Sequence, residues 1–256
     1  MTEPAARDPV IPHGPVIPRD PVRLLFSRYP WVSAGYLLSY LVVGTALFVV
    51  SVTVVATAGA LSITMAGIPL LVIAALLVRA CADVERGRLL ILLPAGVSPP
   101  YRPVHEPGLI AAVRQRWSDP ATRRDLSYLI GLYVPFMVVD AVVVGLWLSF
   151  LGGVTAPLWY WSIPQTFPDG STAHGLNWGY FPHGPQGPGG WGVFVGDPGT
   201  AFIAAGVSLI LFAATNHLLV RTAFTQARIA RALLSAGVDP MAEAKRVLSE
   251  PGPLRP

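Results

Sequence analysis

Apolar residues fill four long stretches of this chain. No charged residue occurs from Tyr29 to Val78, and these 50 positions correspond to about 75 Å of helix against a bilayer core of roughly 30 Å. The stretch therefore predicts two crossings, at about 31–56 and 60–80, with a turn in the small-residue segment 56–62 around Gly59.

Two further apolar segments predict one crossing each, at about 126–150 and 201–221. Hydrophobic residues make up 53% of the chain and charged residues only 12%, whereas a soluble domain carries roughly 25% charged residues. We therefore expect an all-α integral membrane protein with four transmembrane helices in a bundle.

Every Lys and Arg falls before the first span, in the segment 79–124, or from residue 221 onward. The segment 151–200 contains neither residue. Because cationic loops are retained in the cytoplasm, this distribution predicts cytoplasmic termini and an extracytoplasmic 151–200 loop.

The chain then divides into three parts. Residues 1–28 form a Pro-rich tail that we expect to be disordered, 29–222 form the four-helix domain, and 223–256 form a helical cytoplasmic tail. In that tail Ile229, Leu233 and Ala236 are predicted to share one stripe, which packs either on the protein's own inner loop or on a partner.

Two local features modify the helices. Pro69 is predicted to kink the second helix. Residues 108–117 predict an amphipathic helix with Trp117 on its apolar face, lying either on the anionic inner leaflet or on the protein's own cytoplasmic segments. Ser118 or Asp119 as N-cap, with Pro120 at or near the first helical position, is then predicted to start the third span.

The outer segment 162–200 contains ten Gly and six Pro, which excludes a long regular helix. Its interleaved aromatic residues indicate an ordered cap over the bundle or a binding loop, and the candidate contact residues are Trp178, Tyr180 and Trp191. The spacing of His174, His183, Asp169 and Asp197 matches no tight metal-ligand motif, and we expect neither a metal nor another cofactor.

Asp140 interrupts the third apolar stretch. It lies 15 residues beyond Asp125, or about 22 Å along a helix, which places it in the outer half of the bilayer. A bare charge there is costly, so its side chain should face the bundle interior. The groups expected at its level are the hydroxyls of Thr45, Ser62, Thr64 and Ser208. It serves either as a structural tie or as a sensing contact.

No nucleophile with a base, paired carboxylates or metal set is visible, so we expect no catalysis. Transport or a channel role stays open as the alternative, since Asp140 lies within a span and Asn216 and His217 lie near the inner end of the fourth. Nothing in the sequence indicates a nucleic acid partner.

Several segments together resemble the sensor-domain family of bacterial membrane proteins, which often precedes a histidine kinase. The matching segments are "AGIPLLVIAALLVRACADVERGRL", "PPYRP", "WSDPATRRDLSYLI", "APLWYW" and "ARIARALLSAG", and the resemblance covers about residues 25–237. It implies a four-span bundle that receives an input at the bacterial cell membrane, and it supplies no catalytic residues.

About 34 residues follow the last span, which is too few for a kinase or DNA-binding domain. We therefore expect a non-catalytic module that passes an extracytoplasmic or bilayer signal to a separate cytoplasmic or membrane partner. The sequence leaves open a homo-oligomer.

Overall fold

The computed structural model describes residues 20–64, 67–94, 97, 99, 101 and 108–235. The predicted Pro-rich tail, except for its last residues, and the tail beyond 235 lie outside the described residues. The fold is mostly helical, and four of its helices are long and apolar enough to cross a membrane.

The first two long helices form a hairpin. After a short helix α1 (Pro21–Leu25), α2 runs over Tyr29–Leu61 and α3 over Gly67–Leu89. The predicted turn at 56–62 was too early, because α2 continues through Gly59 and the small, helix-compatible residues around it. Pro69 does not kink α3, since it lies in the first turn, where a backbone N–H has no partner within the helix.

The connection to the second hairpin contains two short helices. Helix α4 spans Leu109–Ser118 and confirms the predicted helix. The indole N–H of Trp117 donates to the carbonyl of Leu71 at 3.1 Å, so this end of α4 packs on the protein itself. Helix α5 spans Pro120–Leu126, and the Asp119 side chain caps it by accepting from the backbone N–H of Ala121.

The second hairpin is formed by α6 (Tyr133–Thr155) and α7 (Pro198–Leu234). A π-helical turn at Ser127–Gly131 joins α5 to α6. Helix α7 does not end at 221 as a span alone would require, but continues without a break to Leu234. Its buried face there carries Ala223, Ala227, Ala230 and Leu234. Of the predicted stripe, Leu233 is partly buried and packs against this core, Ile229 is exposed, and Ala236 lies outside the described residues.

The segment between α6 and α7 contains two 3₁₀ turns and two antiparallel hairpins, so the fold is not purely α-helical. The 3₁₀ turns span Ala156–Leu158 and Tyr160–Ser162. Strand β1 (Pro164–Thr166) pairs with β2 (Thr172–His174), and β3 (Leu176–Tyr180) pairs with β4 (Trp191–Val195). Leu176 and Val195 pack with Ala156 and Ala201 in a small separate core.

The two helical hairpins meet at their charged ends. Ring contacts join Trp31 to Trp147, Tyr40 to Phe136, and Phe48 to Tyr133, which shows that α2 and α6 are antiparallel. In the predicted bundle of alternating spans these two helices would be parallel, so the helix pairing differs from that prediction. The physical reason is the alignment of the charged half of α3 with residues 119–128, which run in the same direction.

Candidate functional site

A buried ion pair on α3 lies where the two hairpins meet. Arg88 donates from Nε and Nη2 to the carboxylate of Glu85, one turn earlier, at distances of 2.9–3.2 Å. Glu85 is fully buried and Arg88 is 7% exposed. Because a charge out of water is costly unless paired and hydrogen-bonded, this pair needs further partners to be stable.

The neighbouring helices supply those partners. The Tyr128 hydroxyl donates to Glu85 at 2.8 Å. Arg88 Nη1 donates to the carbonyl of Tyr36 at 2.8 Å and to the Ser39 hydroxyl at 3.3 Å, and its guanidinium lies 4.1 Å from the centre of the Tyr36 ring. One ion pair therefore holds α2, α3 and the π-helical turn together.

A second ion pair joins α3 to α5 and to the end of α7. Arg86 Nη2 donates to Asp125 at 3.1 Å, and its Nη1 donates to Asp83 at 2.6 Å and to the Tyr101 hydroxyl at 2.9 Å. Its Nε donates to the carbonyl of Leu234 at 2.9 Å. Arg86 thus links the last turn of α7 to both α3 and α5 by hydrogen bonds.

Tyr101 and Arg79 extend the cluster. The Tyr101 hydroxyl donates to Asp125 at 2.8 Å, and the Tyr101 ring lies 4.3 Å from the Arg79 guanidinium and 4.9 Å from that of Arg86. Arg79 donates to the α5 cap Asp119 at 3.0 Å. We refer to this set as the charge network; its members are Arg79, Asp83, Glu85, Arg86, Arg88, Tyr101, Asp119, Asp125 and Tyr128.

Burial changes the acidity of the network groups outside the long helices. Burial raises the pKa of Asp125 to about 6, although the hydrogen bond from Tyr101 and the charge of Arg86 act in the opposite direction. Burial also raises the pKa of Tyr101 and that of Tyr128 above the ordinary tyrosine value. Both phenols therefore stay protonated near neutral pH and can donate to the carboxylates.

Asp140 is fully buried, in agreement with the prediction that it faces other helices. Its partner is Gln226, whose Nε2 donates to Asp140 Oδ1 at 2.5 Å. Within the described part of the chain, Asp140 Oδ2 and Gln226 Oε1 have no hydrogen-bond partner. Farther along the same helix pair, the Trp147 indole N–H donates to Asn216 at 2.7 Å.

The hydroxyls expected near Asp140 have other partners. Thr45 bonds to the carbonyl of Leu41 and to the Tyr133 hydroxyl. Ser62 and Thr64 are exposed at the end of α2 and bond to carbonyls in their own turn, and Ser208 lies against Gly153. The depth estimate missed Gln226 because it assumed that the fourth helix ended near 221.

The outer aromatic residues form one surface of the β3–β4 hairpin. Tyr180 is paired with Trp191 and Trp178 with Val193, and the three aromatic residues are each more than half exposed. Three of the four polar residues considered for a metal are engaged locally: Asp169 accepts from Ser171, Asp197 caps α7, and His183 contacts the carbonyl of Pro188. Among the described residues no three His, Cys, Asp or Glu side chains form a metal-binding group.

Sequence reasoning did not identify the charge network. Asp83, Glu85, Arg86 and Arg88 follow the apolar stretch 60–80, where charged residues ordinarily mark the exit of a helix from the bilayer, whereas three of them are buried. The usable signal was the i, i+3 spacing of the pairs Asp83–Arg86 and Glu85–Arg88, which places opposite charges on one helix face. Nothing local indicated that Asp125 and Tyr128 would meet them.

The chain was compared with models of known protein families. A family model described as "Putative sensor" matches residues 36–234, which include the whole charge network and all four long helices in whole or in large part. No curated protein and no solved structure matches the chain.

Proposed function

Because the chain belongs to this sensor family, we propose that it is a non-catalytic membrane sensor or regulatory module that passes an extracytoplasmic or bilayer signal to a separate protein. The observation that carries this proposal is the charge network. It connects α2, α3, α5 and the final turn of α7 through fully or nearly buried ion pairs.

The network favours discrete helix arrangements over gradual movement. Displacing α3 from α5 separates Arg86 from Asp125 and leaves the buried Asp125 carboxylate without this counter-ion, at a cost of roughly 3–5 kcal/mol for one broken buried pair. An input can change the arrangement only by binding one state better than another. Buried ion pairs that re-form with different partners would supply two such states.

The output is proposed to leave through the end of α7. Arg86 donates a hydrogen bond to the carbonyl of Leu234, the last residue of that helix. Rearrangement of the network would therefore move the C-terminal end of α7 and the chain that follows it. Arg228 and Arg231 are exposed on the same helical segment and are available to anionic lipid headgroups or an acidic partner surface. In this proposal the segment is cytoplasmic and the membrane is the bacterial cell membrane.

Asp140 gives a specific reason to keep transport as a second candidate. An ionisable side chain buried between two membrane-type helices, with unpaired oxygens on it and on Gln226, is the kind of group that solute or proton pathways use. Purified protein in liposomes distinguishes the two functions. Movement of a solute or protons that Asp140→Asn abolishes would favour transport over sensing.

The sensor proposal is tested by photo-crosslinking in native membranes from a reactive residue at position 232, which is exposed near the end of α7. We expect a defined partner whose crosslinking yield changes at least threefold in Arg86→Lys. The matched control is Arg123→Lys, since Arg123 is exposed on α5 and lies outside the network. A partner yield that is equal in both variants, or no crosslinked partner, would argue against output through α7.

A further inference from the structure

A pocket of about 520 Å³ lies between the C-terminal part of α6, the N-terminal part of α7 and the β3–β4 hairpin. This volume falls within the range of roughly 300–1,000 Å³ that is typical of small-molecule sites. Helix α6 contributes Phe150, α7 contributes Ile203, Ala204 and Leu211, and the hairpin contributes Trp178 and Val193. The wall is therefore built from two membrane-type helices and one aromatic hairpin.

Two of the hydroxyl groups in this wall are already hydrogen-bonded within the protein. The Ser149 hydroxyl donates to the carbonyl of Gly145 at 2.8 Å, and the Thr200 hydroxyl bonds to Asp197 at 2.7 Å and 3.0 Å. The Ser208 side chain packs against Gly153. No Asp, Glu, Lys or Arg is among the described residues that line the pocket, so a charged ligand would lose its hydration without gaining a counter-charge.

The pocket is continuous with apolar surface that the bilayer would cover. Ile203 is 69% exposed and Val207 is 54% exposed, and both lie on α7, one of the four membrane-type helices. Trp178 extends over the same region from the β3–β4 hairpin, and indole rings are favoured at the boundary between lipid and water. An apolar group can therefore enter the pocket from the hydrocarbon without crossing water.

We propose that this pocket binds one acyl chain of a membrane lipid. The occupant is a hydrocarbon chain because the wall is mostly apolar and carries no charged side chain, and it belongs to a lipid because the pocket opens onto the lipid-facing side of α7. Such a chain would contact α6, α7 and the hairpin together. This binding does not depend on the sensor function, but it would place a lipid-responsive contact at the end of the second helical hairpin.

The test uses full-length protein in phosphatidylcholine nanodiscs that contain a lipid with a photoreactive group near the end of one acyl chain. Crosslinked peptides are identified by mass spectrometry. We expect crosslinks to concentrate in residues 200–211 and 178–193, and to fall at least fivefold in Ala204→Phe, which fills the pocket. The control Ala141→Phe adds the same side chain at an exposed position of α6 outside the pocket and should keep the wild-type pattern.

A thermal unfolding measurement shows whether Ala204→Phe is folded. If it is not, Val207→Trp fills the pocket mouth from an exposed position and should produce the same loss of crosslinks. Crosslinks spread evenly over the exposed faces of the long helices would show annular lipid only and would overturn the proposal. Retention of the wild-type pattern in the folded pocket variants would overturn it as well.

Discussion

The guanidinium of Arg88 and the carboxylate of Glu85 form a bidentate ion pair within α3, almost out of contact with water. An exposed pair with the same i, i+3 spacing joins Asp20 to Arg23 at 3.8 Å. The two pairs share a sequence spacing and differ in burial, so they provide an internal comparison of what burial contributes to an ion pair.

Replacing Arg88 with Gln should lower the stability of the folded protein by roughly 3–5 kcal/mol, because Glu85 is then left buried without its counter-ion. Arg23→Gln should cost less than about 1 kcal/mol, since its pair is exposed. Thermal unfolding in one detergent measures both variants. Equal shifts in the two would mean that the Arg88 pair is hydrated in the membrane.

Acidification should stabilise the wild-type protein relative to Asp125→Asn. The folded-state pKa of Asp125 is about 6, above its ordinary value of 3.8, so the folded protein binds the extra proton more tightly than the unfolded chain does. The contribution of Asp125 to the free energy of unfolding therefore falls as pH rises from its ordinary pKa of 3.8 to its folded-state pKa of about 6, and it is flat at higher pH. The groups facing Asp125 are Arg86, Arg79, Tyr101 and Asp83.

From pH 7 to pH 5 the expected gain of wild type over Asp125→Asn is about 1 kcal/mol. Unfolding midpoints of both proteins at pH 5, 6 and 7 give the measurement. A wild-type midpoint that falls relative to the variant on acidification would show that the ion pair with Arg86 outweighs burial.

The Asp140–Gln226 contact predicts different results for two substitutions. Asp140→Asn keeps an oxygen that accepts from Gln226 and should change stability by less than about 1 kcal/mol. Asp140→Leu leaves the buried Gln226 amide without its acceptor and should cost about 1–3 kcal/mol. The double variant Asp140→Leu with Gln226→Leu should recover part of this lost stability. If it recovers none, the contact between the two residues does not contribute to stability.

Sidedness is tested by cysteine labelling in intact cells at the two hairpin tips, Ile63 and Trp191, both of which are exposed. The distribution of Arg and Lys predicts that both positions react with an impermeant reagent from outside. Labelling at only one tip would mean instead that the two tips lie on opposite sides of the bilayer. This is the arrangement that results when α2 and α6 are antiparallel within the membrane.

The sequence predicted what depends on local pattern. The four apolar stretches predicted the four long helices, and Asp119 with Pro120 predicted the helix start that the structure shows at α5. The burial of Asp140 followed from the cost of a charge in hydrocarbon. The identity of its partner could not be predicted in this way, because Gln226 reaches Asp140 only when α7 continues past the apolar stretch and packs antiparallel to α6.

The charge network was beyond local pattern for a related reason. Charges next to an apolar stretch predict an exit into water, and only the tertiary contact of α3 with Asp125, Tyr128 and Leu234 buries them. Likewise the Gly-rich segment excluded a helix, but its register, with Tyr180 opposite Trp191, depends on pairing across an intervening turn.

The central claim is that the charge network holds the two helical hairpins and the end of α7 in one arrangement. Its most direct test is a pulsed EPR distance between spin labels at Val84 on α3 and Thr225 on α7, both exposed, in nanodiscs and in a Cys81→Ala background. We predict one narrow distance distribution in wild type and in the control Arg123→Lys, and a broadened or two-component distribution in Arg86→Lys. The same narrow distribution in Arg86→Lys would contradict the account.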